Sequence, residues 1–291
     1  GSDSLSNPGT DLDTGLQKTN QDSYIRELNM NNITDFNIFC VLDGHGINGH
    51  YASQFCKNFI IDSFKNNLLI KYQKDLIVIY ELLKENNYKI IEDIITECNT
   101  KLAEQKEFDV TYSGTTCVLV IQIGKNLISV NIGDSRAILV EFNNNIGEFL
   151  LYPLTTDCKP EIPDKRQRIK EYGGEVDRRI DQFGQPIGDY RIYAKGSMLP
   201  ALGMSRSLGD LESKKLGVIP NPLKTDYQIT DNTKFILVCS DVIWDFLKYE
   251  DIIEIGKKYY IQCDVSGFCQ ELVFTAYNLW KRFNDYIDDI T

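Results

Sequence analysis

The apolar runs of this chain are short, and aspartate or glycine stops them. Residues 36–42 run into Asp43-Gly44-His45-Gly46, residues 126–132 into Gly133-Asp134, and residues 234–239 into Ser240-Asp241. Runs of this length suit buried strands; a membrane-crossing helix needs about 20 consecutive apolar residues, and no run reaches that. Residues 115–123, 126–132 and 136–142 follow one another across tight Gly-containing turns, as in an antiparallel meander, and 149–154 extend it. Helical spacing appears elsewhere. Phe55, Phe59, Ile60 and Phe64 share one face over 51–64. Leu76, Ile79, Leu83, Ile91 and Ile95 continue the pattern over 71–105, with a break at Asn86-Asn87. Short helices are predicted over 164–172, closed by Gly173-Gly174, and over 249–260 and 267–283. Residues 178–200 read as an exposed polar excursion, and the first ~20 as loop, with 1–15 a loosely ordered arm. Strands and helices do not alternate as βαβ units, so antiparallel sheets with helices segregated outside are expected.

The 291 residues suit one large domain or two small ones. Forty-two acidic against 31 basic residues give a net charge of −11, without the footprint of a nucleic-acid binder or of a protein that clings to anionic lipid. Eight cysteines form no C-x-x-C pair and several lie inside apolar runs, so they read as reduced and buried in an intracellular protein, cytoplasmic or nuclear. Gly1-Ser2 looks like a tag remnant, which leaves N-terminal lipidation open.

Strand termination explains any single aspartate. Their recurrence at the ends of apolar strands suggests more, because strand ends on one side of a sandwich converge. Massed carboxylates repel unless cations neutralise them, and hard ions such as Mg²⁺ or Mn²⁺ prefer oxygen ligands. The only histidines, His45 and His50, stand five apart with no cysteine beside them, which disfavours zinc. His50 reads as a helix N-terminal residue. His45, between two glycines beside Asp43, suits proton transfer.

Five of these clusters, in chain order, carry a family resemblance: Asp43-Gly44-His45-Gly46, Ser113-Gly114-Thr115-Thr116, Gly133-Asp134-Ser135-Arg136, Ser205-Arg206-Ser207-Leu208-Gly209-Asp210 and Ser240-Asp241-Val242-Ile243-Trp244-Asp245. Asn20-Gln21-Asp22 precedes them, Asp288-Asp289-Ile290-Thr291 follows, and Thr155-Thr156-Asp157-Cys158-Lys159-Pro160 lies between. The series, from about residue 15 to the last, resembles the metal-dependent Ser/Thr protein phosphatases of type 2C. The resemblance implies an α+β fold: a sandwich of two antiparallel sheets with helices on both outer faces, and a small flap at about 160–195. It implies one catalytic domain over 1–291, its final strand trimmed, and a monomer. It implies phosphorylated protein substrates, hydrolysed by a water activated at two Mn²⁺ or Mg²⁺ ions without a phosphoenzyme.

By that resemblance Asp43 bridges the ions, the Gly44 carbonyl binds one, and Asp22, Asp241 and Asp288 complete the set. Asp134 and Asp245 match a third, weaker site, and His45 matches the general acid. Three departures stand out. Gln21 replaces a glutamate that contacts metal through water. Gln17 replaces a phosphate-gripping arginine, leaving Lys18 as the nearest cation. Val242 replaces a glycine, which would strain the backbone if φ were positive there. These departures support the alternative of a catalytically weak relative that binds phosphoproteins or acts as a scaffold. Arg178, Arg179 and Arg191 in the flap suit acidic or phosphorylated partners, though exposed arginines are commonly just solvated.

Overall fold

The computed structural model describes residues 1–282 and 286–291. Along the chain, β1 (Thr10–Asp11) and β2 (Ser23–Glu27) precede β3 (Phe36–Leu42) and β4 (Gly44–His45). Helices α1 (Gly49–Asn66), α2 (Leu68–Lys71) and α3 (Leu76–Glu104) follow. Next come β5 (Gly114–Thr115), β6 (Cys117–Ile123), β7 (Asn126–Ile132), β8 (Arg136–Asn143) and β9 (Glu148–Pro153). Then α4 (Pro163–Glu171) leads into β10 (Gly174–Ile180), β11 (Pro186–Ala194) and β12 (Pro200–Leu202). The chain continues through β13 (Leu208–Gly209), α5 (Leu211–Lys215), β14 (Leu223–Gln228) and β15 (Thr233–Cys239). It closes with α6 (Asp241–Phe246), α7 (Tyr249–Gln262), α8 (Val265–Trp280) and β16 (Tyr286–Ile287). The helix expected over 267–283 is α8; its predicted last residue lies outside the described residues.

Two antiparallel sheets form the frame, one ordered β14-β7-β6-β3-β2 and the other β15-β8-β9. The period of two along each strand sorts side chains into three layers. Ile38, Cys40 and Leu42 of β3 and Leu119 and Ile121 of β6 pack with Ala52, Ile60, Leu83 and Ile95 of α1 and α3. Their neighbours Val41, Val118 and Val120 face the second sheet and meet Ala137 and Leu139 of β8. On the far face of β8, Ile138 and Val140 pack with Ile252, Leu272 and Ala276 of α7 and α8. The helix–sheet–sheet–helix order is therefore the expected one. Helix α3 breaks where the asparagines predicted it would, with Asn86, Asn87 and Tyr88 at φ of 50°, 58° and 63°. Asparagine tolerates this left-handed region better than most residues.

Three expectations are refined or corrected. Residues 178–200 are largely exposed, as expected, but much of their backbone is ordered, with β10, β11 and β12 forming an antiparallel sheet of their own. Val176, Ile192 and Leu202 bury against Ile169, Met204 and Val218, a small core that the polar composition concealed. The N-terminal arm is tied down: β1 pairs with β16, and Leu5 and Leu12 pack on the α7–α8 core. Pairing across about 280 residues leaves no local trace in a sequence. Third, the condition for strain at Val242 is not met. The residue lies in the first turn of α6, outside the positive-φ residues, fully buried on the α7–α8 side. Val242→Ala is expected to cost about 1–3 kcal/mol in urea unfolding through lost packing, with Mn²⁺ binding retained.

Candidate active site

Asp43 owes its position to backbone and hydroxyl contacts at the end of β3. Its N–H donates to Thr116 Oγ1 at 3.0 Å, and its carbonyl accepts from the Thr116 N–H at 2.9 Å and the Thr115 hydroxyl at 3.1 Å. The Thr116 and Ser135 hydroxyls then meet at 2.7 Å, so two of the short motifs brace one aspartate. Gly44 follows in a place no larger residue could take, since a Cβ there would collide with the Gly49 and Gln21 carbonyl oxygens. Asp241 enters at the start of α6, Asp22 just before β2, and Asp288 just after β16.

These carboxylates act on one another. Burial, then Asp22, Asp241, Asp134 and Asp288, hold the Asp43 carboxyl well above its usual range. Burial, then Asp134, Asp245, Asp288 and Asp22, do the same to Asp241. Asp22 is pushed up to about 7 by burial and then Asp289, with the Thr291 and Ser240 hydroxyls opposing part of the rise. Burial also raises Asp245, against the pull of Lys159. The six predicted aspartates therefore share one neighbourhood at one end of the sandwich. Among the described residues, however, no three carboxylate, imidazole or thiol groups converge closely enough to hold one ion as they stand. Both oxygens of Asp22 are buried with no donor within hydrogen-bond distance, the Thr291 and Ser240 hydroxyls acting on them only from farther off. Buried carboxylates left unpaired cost several kcal/mol, so a hard divalent cation fits this all-oxygen set.

Two lysines already press against the cluster. Lys159 donates to Asp134 at 2.6 Å, and Lys18 donates to Asp288 at 2.9 Å while lying over the Tyr286 ring. Gln17 is exposed and bridges to Thr10 in the arm. Lys159 escaped the sequence reading because its motif, Asp157-Cys158-Lys159-Pro160, gives no spacing that links it to Asp134. Asp157 of the same motif pairs with Arg136 through two hydrogen bonds, 3.0 and 2.7 Å, an ion pair that joins β8 to the segment leading into the flap. Asp189 of β11 also acts on Lys159, which sets the flap beside the acidic end. In the flap itself, Arg178 and Arg191 donate to the Gly188 and Ala201 carbonyls, so both spend donors on structure.

His45 does not stand alone. Its Nε2 lies 2.8 Å from Asp210 Oδ2, with side-chain exposures of 24% and 3%. Burial alone would depress the imidazole, but Asp210 first and Asp134 next outweigh it and raise the His45 pKa. The carboxylate reaches the ring because residue 114 is glycine; a Cβ there would collide with Asp210 Oδ2. Behind Asp210, half-buried Lys214 donates to the carbonyl and hydroxyl of Ser207 at 2.7 and 3.0 Å, its pKa lowered by desolvation to about 8. Asp210 closed a recognised motif but had no assigned role, because nothing local marks a partner 165 residues away. His50 sits in the first turn of α1, as expected, against the Tyr51 ring.

Gln21 has a use that glutamate could not serve. Its side-chain amide donates to the Gly46 carbonyl at 2.7 Å and ties the His45 loop to the start of β2. A carboxylate has no proton to give at neutral pH. Gln21→Glu is expected to lose about 1 kcal/mol and lower the thermal midpoint by a few degrees, measured without metal.

A stacked sandwich with carboxylates massed at one end is an arrangement suited to hard divalent cations, and comparison with known proteins gives its class. The family profile described as Protein phosphatase 2C matches residues 13–278. Probable protein phosphatase 2C 61 of Arabidopsis thaliana is 30% identical over 288 residues, covering 95% of this chain and 80% of that protein. Probable protein phosphatase 2C 73 of the same plant is 31% identical, covering 84% and 66%. The chain belongs to the protein phosphatase 2C family. Its fold superposes on the crystal structure of a serine-threonine phosphatase 2C from Toxoplasma gondii with a TM-score of 0.77, at 18% identity, over 94% and 89% of the two chains. A C. elegans sex determining protein superposes with a TM-score of 0.70 at 16% identity, over 98% and 62%. Among the described residues no helix is long and apolar enough to cross a membrane.

Proposed function

We propose that this chain hydrolyses phosphoserine and phosphothreonine in proteins at the acidic end of the sandwich. Asp22, Asp43, Asp241 and Asp288, with the Gly44 carbonyl, would hold two Mn²⁺ or Mg²⁺ ions; Asp134 and Asp245 would serve a weaker third. When bound, such ions supply an activated water and positive charge for the phosphoryl oxygens. The remaining work falls to this chain's own side chains. His45, kept cationic by Asp210, donates a proton to the departing seryl or threonyl oxygen, which would otherwise leave as a poor alkoxide. Asp210 holds the ring in place and carries no proton itself. Lys18, paired with Asp288, and Lys159, paired with Asp134, would offer positive charge to the substrate phosphate. Lysine offers a point charge where arginine would offer a fork, so binding there is less directional.

The observation that carries this reading is the buried, unpartnered Asp22 carboxylate among aspartates that raise one another's pKa values. The departures at Gln21 and Val242 do not favour a scaffold, since one makes a hydrogen bond and the other fills a core. The test is release of inorganic phosphate from a phosphothreonine peptide with Mn²⁺ and with excess chelator. Turnover with Mn²⁺ and none with chelator is expected. Mn²⁺ binding without turnover would return the chain to the scaffold reading. Oligomeric state is proposed as monomeric and is checked by light scattering.

A further inference from the structure

Asp289 has no assigned part in the chemistry, and its side chain joins segments from opposite ends of the chain. It is 5% exposed. One carboxylate oxygen accepts the Gly9 N–H at 2.6 Å and the other accepts the Gln21 N–H at 2.8 Å. Both oxygens are therefore occupied by donors, so Asp289 is not itself offered to a cation. Each donor lies beside a candidate ligand segment. Gln21 immediately precedes Asp22, and Asp289 immediately follows Asp288.

Gly9 gives a second, independent observation. A Cβ at this position would collide with the Ile287 carbonyl oxygen and come within 3.0 Å of the Asp288 carbonyl carbon and 3.2 Å of its Cα. The arm thus approaches the Asp288 backbone as closely as glycine permits. The Gly9 carbonyl in turn accepts the Lys18 N–H at 2.9 Å, and Lys18 is the residue paired with Asp288. The flanks are stitched as well. Asn7 and Ile290 exchange two backbone hydrogen bonds at 2.9 and 3.0 Å. Ser6 Oγ meets the Thr291 hydroxyl at 2.7 Å and the Asn20 side-chain amide at 2.8 Å, and Asn20 Oδ1 accepts the Asp22 N–H at 2.9 Å.

We propose that Asp289 is a positioning residue, a carboxylate clamp on the Gly9 and Gln21 amides that sets Asp22 and Asp288 against each other for cation binding. The inference rests on the reading that those two aspartates hold a cation. A carboxylate suits the clamp because each oxygen takes one N–H, and hydrogen bonds to an ionised acceptor are about twice as strong as neutral ones. Asparagine could satisfy one amide only, and its NH₂ group would face the other N–H.

The test titrates Mn²⁺ by calorimetry into the full chain and its Asp289→Ala, Asp289→Asn and Gly9→Ala variants, alongside amide hydrogen exchange. Asp289→Ala is expected to weaken Mn²⁺ binding at least tenfold. It should speed exchange at the Gly9 and Gln21 amides by a similar factor and leave Leu119 and Ile121 unchanged. Asp289→Asn should fall between parent and Ala on both measures. Gly9→Ala should weaken Mn²⁺ with Asp289 intact, and this variant and Asp289→Asn carry the test if Ala does not fold. Unchanged Mn²⁺ affinity in all three variants overturns the proposal, whatever the exchange rates do. If the parent binds Mn²⁺ and Asp22→Asn does not, while Asp289→Ala binds normally, this proposal alone falls. A parent that binds no Mn²⁺ removes the cation reading beneath it.

Discussion

Asp43→Asn is expected to yield a protein that is more stable than the parent without metal and inert with it. The sign follows from the raised carboxyls. In the unfolded chain an aspartate has its ordinary pKa near 3.8, whereas in the folded chain Asp22 sits at about 7 and Asp43 and Asp241 are held well up. The folded state thus binds more protons through this range. Its stability is full below the unfolded value and is lost as pH rises from about 4 through 7 and beyond. In chelator, the parent should melt at a lower temperature at about pH 8 than at about pH 5, and Mn²⁺ should remove most of that difference. Removing the Asp43 charge flattens the decline. The gain is on the order of 3 kcal/mol at about pH 8, the scale of one unpaired buried charge, or roughly 5–10 °C in a chain of this size. Phosphopeptide hydrolysis should fall at least about a thousandfold, because the charge that gathers the cations is gone. A metal-free parent equally stable at both pH values would contradict the electrostatic account.

The second large effect concerns the proton. His45→Gln should lower kcat on a phosphothreonine peptide about 10²–10⁴-fold, the usual contribution of a positioned acid. It should change hydrolysis of an aryl phosphate far less, since a phenolate leaves without help. Asp210→Asn separates the partners. It leaves the ring in place but removes the largest influence that raises the His45 pKa, so burial then dominates and the imidazole loses its proton at lower pH. The catalytic form is protonated, so activity falls as pH rises through the His45 pKa. That descending limb should move to lower pH in the variant. An unshifted limb would show that some other group donates the proton.

Much of the fold was legible because its signals are local. Short apolar runs over β3, β6, β7 and β8 and three-to-four spacing over α1 and α3 belong to single segments, and so do the asparagines that break α3. The pairing within the flap was hidden for the opposite reason. Its strands are amphipathic only in part, and the core that holds them draws on Ile169 and Val218 from either side. The site divides the same way. Asp43, Asp134 and Asp241 announce themselves at the ends of apolar runs. Asp210, Lys159 and Asp289 do not, because each matters through a partner that the chain brings near only after long detours.

By itself, the order of residues determined the layers, the strand-end aspartates and the family, since side-chain periodicity and turn chemistry are written over a few residues at a time. Tertiary structure alone decided which carboxylates share a neighbourhood, which histidine receives a carboxylate, and that the N-terminal arm is built into the acidic end. Charge interactions and hydrogen bonds depend on distance in space, and closure of a sandwich sets distances that no local pattern encodes.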